Sequence, residues 1–135
     1  MIYLMRHGAD PFDRLGGWSA WGSTDEGRQQ VFSAANYLHD KGITKIYASD
    51  LNRAKETAQI AANALSPPVI YLPAFREVNN GLLAGMRKTE AAQKFPEMFG
   101  EHAGLGAGIS AGRTPGTVLQ PRSRRMVCVQ RTNRP

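Results

Sequence analysis

The chain reads as an α/β fold, a parallel sheet with helices on both faces, and three observations predict it. Short runs rich in apolar residues at Ile2–Met5, Lys45–Ala48 and Val69–Leu72 have the length and composition of buried strands. Between and after them lie segments whose apolar residues recur at helical spacing. The two kinds of element alternate along the chain, and that alternation implies parallel strands joined by helical crossovers.

Each element has its own warrant. Ile2-Tyr3-Leu4-Met5 ends abruptly at Arg6-His7-Gly8, and a loop rich in Gly and Trp runs to Gly22. Ser23-Thr24-Asp25-Glu26 matches a capping box, with Ser23 serving the helix amides and Glu26 reaching back. Val31, Ala34, Ala35 and Leu38 then share one helical face, and the helix stops near Gly42. After the strand Lys45–Ala48, Asp50 is placed as the N-cap of a helix that buries Ala54, Ala58, Ala61 and Leu65. Pro67-Pro68 break that helix, and Val69–Leu72 forms the third strand. A further helix near Thr89–Phe95 ends before Pro96. No internal repeat is visible.

Charge divides the chain in two. The formal net charge is +6, yet residues 1–102 balance 11 Lys and Arg against 11 Asp and Glu. The whole excess lies in residues 103–135, which hold six arginines, no lysine and no acid. Every aromatic residue precedes position 100, and the segment after it is rich in Gly, Pro and Arg. Residues 1–102 are therefore read as the amino-terminal portion of one small domain, and 103–135 as a basic tail expected to be disordered. Scattered arginines without an aromatic to stack on a base argue against a nucleic-acid arm. An Arg, Gly, Ala and Pro composition lacking lysine and acids is also what GC-rich DNA tends to give out of frame, so the native carboxyl-terminal part of the domain is read as missing. The lone cysteine, Cys128, allows no internal disulfide, which points to a reducing compartment. The amino terminus has no long apolar run, so no signal peptide or membrane span is expected and the assignment is cytoplasmic.

The candidate site begins at the first strand's carboxyl end, where open α/β sheets place their ligands. Arg6 beside His7 suits an anion, phosphate first of all, and Gly8 lets the backbone turn sharply. Ser49-Asp50-Leu51-Asn52-Arg53-Ala54 repeats the strand, turn and helix theme, with Arg53 in the helix's first turn. Phe75-Arg76-Glu77-Val78-Asn79-Asn80-Gly81 places Glu77 just beyond the third strand.

In these three segments, their order and their spacing, the chain resembles the histidine phosphatase superfamily, the phosphoglycerate mutase-like group. The resemblance covers Met1 to about Glu101 and implies a three-layer, Rossmann-like fold. It implies that His7 is the residue phosphorylated during catalysis, that Arg6 and Arg53 hold the phosphate, and that Glu77 is the proton donor and later the base. No cofactor is implied, and no metal, because the arginines supply the positive charge. The partner implied is a small phosphorylated substrate or a phosphoprotein.

The sequence also departs from that pattern. The superfamily carries a second histidine late in the chain at a strand end. Here the only histidine after Glu77 is His102, which no β-branched run precedes. Asp10 and Asp13 stand where relatives often have a hydroxyl or amide, which adds negative charge beside the phosphate site. Ser49 is read as a turn residue, His39 as an ordinary helix-end residue, and at least one of Trp18 and Trp21 as loop packing. The leading function is thus phosphomonoester hydrolysis through a phosphohistidine, impaired by loss of the second histidine. The alternatives are a phosphoglycerate mutase-type phosphotransferase and a non-catalytic phosphate-binding module. The short loop after Glu77 favours a phosphatase over a mutase.

Overall fold

A computed structural model of the chain describes residues 1–98 and the backbone of 127–130. It contains strands β1 (Ile2–Met5), β2 (Lys45–Ala48), β3 (Val69–Tyr71) and β4 (Val127–Gln130), and helices α1 (Asp25–Leu38), α2 (Asn52–Leu65) and α3 (Lys88–Lys94). The strands form one sheet in the order β1-β4-β2-β3. β2 and β3 are parallel, whereas β4 runs antiparallel to both β1 and β2. The three strands read from the sequence therefore point the same way, as the α/β class requires, and the fourth runs against them.

β4 was not among the expected elements. It lies inside the stretch read as a disordered tail, and Val127 and Val129 supply the β-branched alternation that a strand needs. The glycines, prolines and arginines around this short motif hid it from a composition argument. The rest of 103–135 and His102 lie outside the described residues.

The described residues fall into two compact units. The first, a sheet unit, comprises residues 1–11, 20–76 and the strand 127–130. Its core joins Ala35 of α1, Ile46 and Ala48 of β2, and Ala58 and Ala61 of α2, all fully buried. Small side chains on the two helices let them pack closely, while Tyr3, Met5 and Val69 close the cluster from the sheet. Both helices thus reach the same sheet face. Ile2 and Leu4, which point the other way by strand alternation, are 60% and 58% exposed.

Two helix starts differ from expectation, and in each case a distant group decides. The N-cap of α1 is Thr24, not Ser23: its Oγ1 accepts from the Gly27 amide at 3.1 Å. The same hydroxyl donates to the Ala9 carbonyl at 3.2 Å, and the Thr24 amide donates to that carbonyl at 2.8 Å. The cap therefore falls where the helix start is stitched to the loop after His7. In α2 the N-cap is Leu51, which has no capping side chain, because the Asp50 carboxylate is engaged by Arg76 instead.

The second unit comprises residues 12–19 and 77–98. Its two segments are joined through the backbone: Leu15 donates to the Met86 carbonyl at 2.9 Å, Gly85 to Leu15 at 2.8 Å and Lys88 to Asp13 at 2.8 Å. Leu83 and Ala91 are fully buried within it.

Candidate active site

His7 follows β1 directly and is 7% exposed. Its Nδ1 lies 2.6 Å from the Gly8 carbonyl oxygen, and its Nε2 lies 3.3 Å from Nε of Arg53. A carbonyl oxygen only accepts and a guanidinium only donates. Nδ1 must therefore carry the proton, and Nε2 presents its lone pair to the arginine. In this arrangement Nε2 is the accepting nitrogen, and it lies beside the fixed positive charge of Arg53.

Two glycines make this arrangement possible. A Cβ on Gly8 would sit 2.5 Å from the Gly27 carbonyl oxygen, and one on Gly27 would sit 2.3 Å from the Ala9 carbonyl oxygen. Both distances are far below van der Waals contact, so the loop after His7 and the first turn of α1 approach as bare backbone. Gly8 donates its amide to Thr57 Oγ1 at 3.0 Å, and Thr57 donates to the Arg53 carbonyl at 2.8 Å. Thr57 is fully buried and couples the histidine loop to the turn that carries the arginine.

Arg53 is 1% exposed and sits in the first turn of α2. Besides His7, it faces Asp10, whose Oδ2 is 3.6 Å from Nε. Burial of a guanidinium demands hydrogen bonds and a counter-charge, and these two side chains contribute both. Arg6 is exposed at the strand end beside His7 and does not join this buried hydrogen-bonded set among the described residues. Ser49 is buried at the end of β2, in keeping with a turn residue.

The neighbouring loop is tied down by contacts that the sequence reading did not foresee. Glu56 accepts from the Ser23 amide at 2.7 Å, and Asn52 donates to the Ala20 carbonyl at 2.8 Å. Arg76 forks onto both carboxylate oxygens of Asp50. That hydrogen-bonded fork holds the Asp50 carboxyl below its ordinary value, and the pairing holds the guanidinium of Arg76 more firmly protonated. Thr57 carried a usable signal, a hydroxyl one helical turn beyond Arg53. The Asp50–Arg76 pair carried none, because 26 residues separate the partners.

Glu77 belongs to the second unit, where it is half-buried. Its Oε1 accepts from the Gly17 amide at 2.5 Å, and its carbonyl accepts from the Trp18 indole at 2.8 Å. Gly17 has φ 79°, which suits glycine and aims its amide at the carboxylate. Trp18 is thus a positioning partner for Glu77 and remains 44% exposed; Trp21 is 41% exposed. His39 is an exposed residue beside Asp40. Among the described residues, no group of three or more His, Cys, Asp or Glu side chains is arranged to hold a metal ion, and no helix is long and apolar enough to cross a membrane.

Comparison with known proteins adds an independent line. The family model described as histidine phosphatase superfamily, branch 1, matches residues 2–128. A probable phosphoglycerate mutase GpmB from Erwinia tasmaniensis is 35% identical over 117 residues, 84% of this chain and 53% of that protein. The GpmB of an Escherichia coli K12 strain is 38% identical over 85 residues, 61% of this chain and 40% of its own length. The chain spans about half the length of the curated relatives it matches. Among solved structures, a mycobacterial glucosyl-3-phosphoglycerate phosphatase complexed with VO3 superposes with TM-score 0.61 at 26% identity, over 71% of this chain and 49% of that one. A phosphoserine phosphatase from Entamoeba histolytica, in complex with 3-phosphoglyceric acid, superposes with TM-score 0.56 at 25% identity, over 75% of this chain and 47% of that one.

Proposed function

Because the chain belongs to the histidine phosphatase superfamily, we propose that it is a phosphomonoester hydrolase working through a phosphohistidine at His7. The observation that carries this reading is the contact of His7 Nε2 with the buried Nε of Arg53 at 3.3 Å, in which the guanidinium donates and Nε2 accepts. In the proposed reaction Nε2 attacks phosphorus, and the bond from phosphorus to the ester oxygen breaks. Glu77 protonates the departing oxygen. Arg53 and Arg6 hold the non-bridging oxygens and offset the charge that grows on them. A water then attacks the phosphohistidine, Glu77 takes its proton, and inorganic phosphate leaves. Asp50 and Arg76 touch no reacting atom in this scheme.

The substrate class is a small phosphorylated metabolite or a phosphoprotein, and a cytoplasmic location goes with it. Similarity to proteins named as probable phosphoglycerate mutases supports a second reading, in which the phosphoryl group passes back to an acceptor hydroxyl rather than to water. Since no residue described here stands as the second histidine of the superfamily, we further propose that the 135-residue chain turns over slowly by itself. Loss of one such charge-stabilising donor costs on the order of a hundredfold to a thousandfold in turnover.

The test is to quench the protein with a ³²P-labelled phosphomonoester and look for label that is acid-labile and base-stable. Label retained in the folded wild-type and absent from H7A supports the hydrolase. Absence of label in a well-folded sample that still binds phosphate supports the non-catalytic binding module. Transfer of label to an added alcohol in preference to water supports the phosphotransferase.

A further inference from the structure

Glu77 is held at both ends by two consecutive residues of the loop that follows β1. The Gly17 amide donates to its carboxylate Oε1 at 2.5 Å, and the indole Nε1–H of Trp18 donates to its main-chain carbonyl at 2.8 Å. On the reading of Glu77 as the proton donor of the proposed reaction, we propose that Trp18 is a positioning residue for that proton. With Gly17 it fixes where the carboxyl group delivers the proton, and so decides how well esters of poor leaving alcohols are turned over.

Three features separate this clamp from ordinary loop packing. Trp18 is 44% exposed, so burial of its ring is incomplete, while its one N–H is committed to Glu77. An indole so exposed can donate to water instead, so the bond to the carbonyl fixes geometry more than it satisfies the donor. Gly17 is confined to glycine twice over: its φ is 79°, and a Cβ would lie 2.7 Å from Cγ and Nδ2 of Asn80. Only bare backbone brings its amide to the carboxylate. Finally, the clamp has a fixed base, because Leu15 donates to the Met86 carbonyl at 2.9 Å and accepts from the Gly85 amide at 2.8 Å.

The consequence is selectivity by leaving group. In the proposed first step Nε2 of His7 forms its bond to phosphorus, the ester P–O bond breaks with its electron pair passing to oxygen, and the carboxyl proton of Glu77 moves onto that oxygen. A donor must come within about 2.6–3.2 Å of the oxygen it protonates. A glutamate side chain is flexible, and tying down both its main chain and its carboxylate keeps it in that range. The requirement falls on strongly basic leaving oxygens, such as those of alkyl alcohols. A nitrophenolate leaves without a proton, so its ester reports on His7 and Arg53 and is indifferent to the clamp.

The experiment compares p-nitrophenyl phosphate with glycerol 3-phosphate as substrates of the full chain, in wild-type, W18F, E77Q and the W18F/E77Q double variant. W18F keeps an aromatic ring and lacks the N–H. Benzothienylalanine at position 18, in which sulfur replaces the N–H, covers the case in which W18F does not fold. General acids contribute on the order of a hundredfold to ten-thousandfold, and misplacing one is expected to lower kcat for the glycerol ester about tenfold. KM for both esters and kcat for the nitrophenyl ester should stay within about twofold of wild-type, and W18F should add nothing further in the E77Q background. Unchanged turnover of the glycerol ester, an equal fall of kcat on both esters, a change confined to KM, or an additive loss in the double variant would overturn the proposal and leave Trp18 as a packing residue. If E77Q itself turns over the glycerol ester as fast as wild-type, the reading of Glu77 as proton donor falls, and the role of Trp18 with it.

Discussion

Two arginine–aspartate pairs lie in the sheet unit. Arg76 meets Asp50 with both prongs of its guanidinium on both carboxylate oxygens, and each partner keeps a fifth or more of its side chain in water, 30% and 22%. Arg53 faces Asp10 with its Nε 3.6 Å from Oδ2, and its own side chain is 1% exposed. Burial alone would rank the second pair as the structural one. Geometry separates them in another way, since the fork of Arg76 engages both carboxylate oxygens of Asp50, whereas the Nε of Arg53 faces His7 as well as Asp10. The partly exposed pair holds the turn after β2, and the buried arginine stands against the ring of His7.

The sharpest way to break this comparison is to remove each arginine's partner function in turn. R53Q leaves Asp10 and His7 without their buried cation, and breaking a buried pair in this way costs about 3–5 kcal/mol of stability. Turnover should fall on the order of a hundredfold to a thousandfold even at temperatures where the variant is folded. D50N, in contrast, should leave kcat for a phosphomonoester close to wild-type. Steady-state kinetics beside chemical denaturation checks both, and equal loss of kcat in the two variants would erase the distinction.

Backbone contacts around His7 and Arg53 come next in size. G8A drives a Cβ to within 2.5 Å of the Gly27 carbonyl oxygen, a backbone atom that cannot swing aside. Overpacking of this kind costs about 1–3 kcal/mol, and the shift of the loop should also lower phosphohistidine formation. T57V removes the acceptor of the Gly8 amide and the donor to the Arg53 carbonyl while keeping the side chain's shape. One buried amide is then unsatisfied, at a cost of about 1–3 kcal/mol. Urea unfolding of the two variants, combined with labelling of His7, measures both effects.

The same contrast explains what was legible in the sequence. His7 and Arg53 could be found because each sits at a fixed offset from a strand end, and strand ends are local events. The pairing of Arg53 with His7 follows once both strands join one sheet. Asp50 was misplaced as a helix cap because local chemistry allows it, and a partner 26 residues away overrules it. Ser23 lost the cap to Thr24 for a similar reason, the Ala9 carbonyl being within reach of the second hydroxyl only through the tertiary fold. β4 was missed because a Val-x-Val-x motif is too short to stand out from the glycines and arginines around it. Long-range hydrogen bonds decided each of these cases, and none of them leaves a periodic trace.

The smallest expected effect tests the Asp50–Arg76 pair through pH. The Asp50 carboxyl is held below its ordinary value near 3.8 chiefly by the hydrogen-bonded fork from Arg76. A carboxyl whose folded value is depressed binds protons more readily when unfolded, so its stabilisation is fully present above about 3.8 and is lost as pH falls through the folded value. Glu90, paired with Lys94 on the surface of α3, follows the same direction. D50N lacks the titrating group, so its melting temperature should lie slightly below wild-type at neutral pH, and the gap should close below pH 4. Partial exposure of both side chains keeps the gap small and sensitive to salt. A gap that persists unchanged in acid would mean that the carboxylate's charge contributes nothing to the fork, and that shape alone holds the turn after β2.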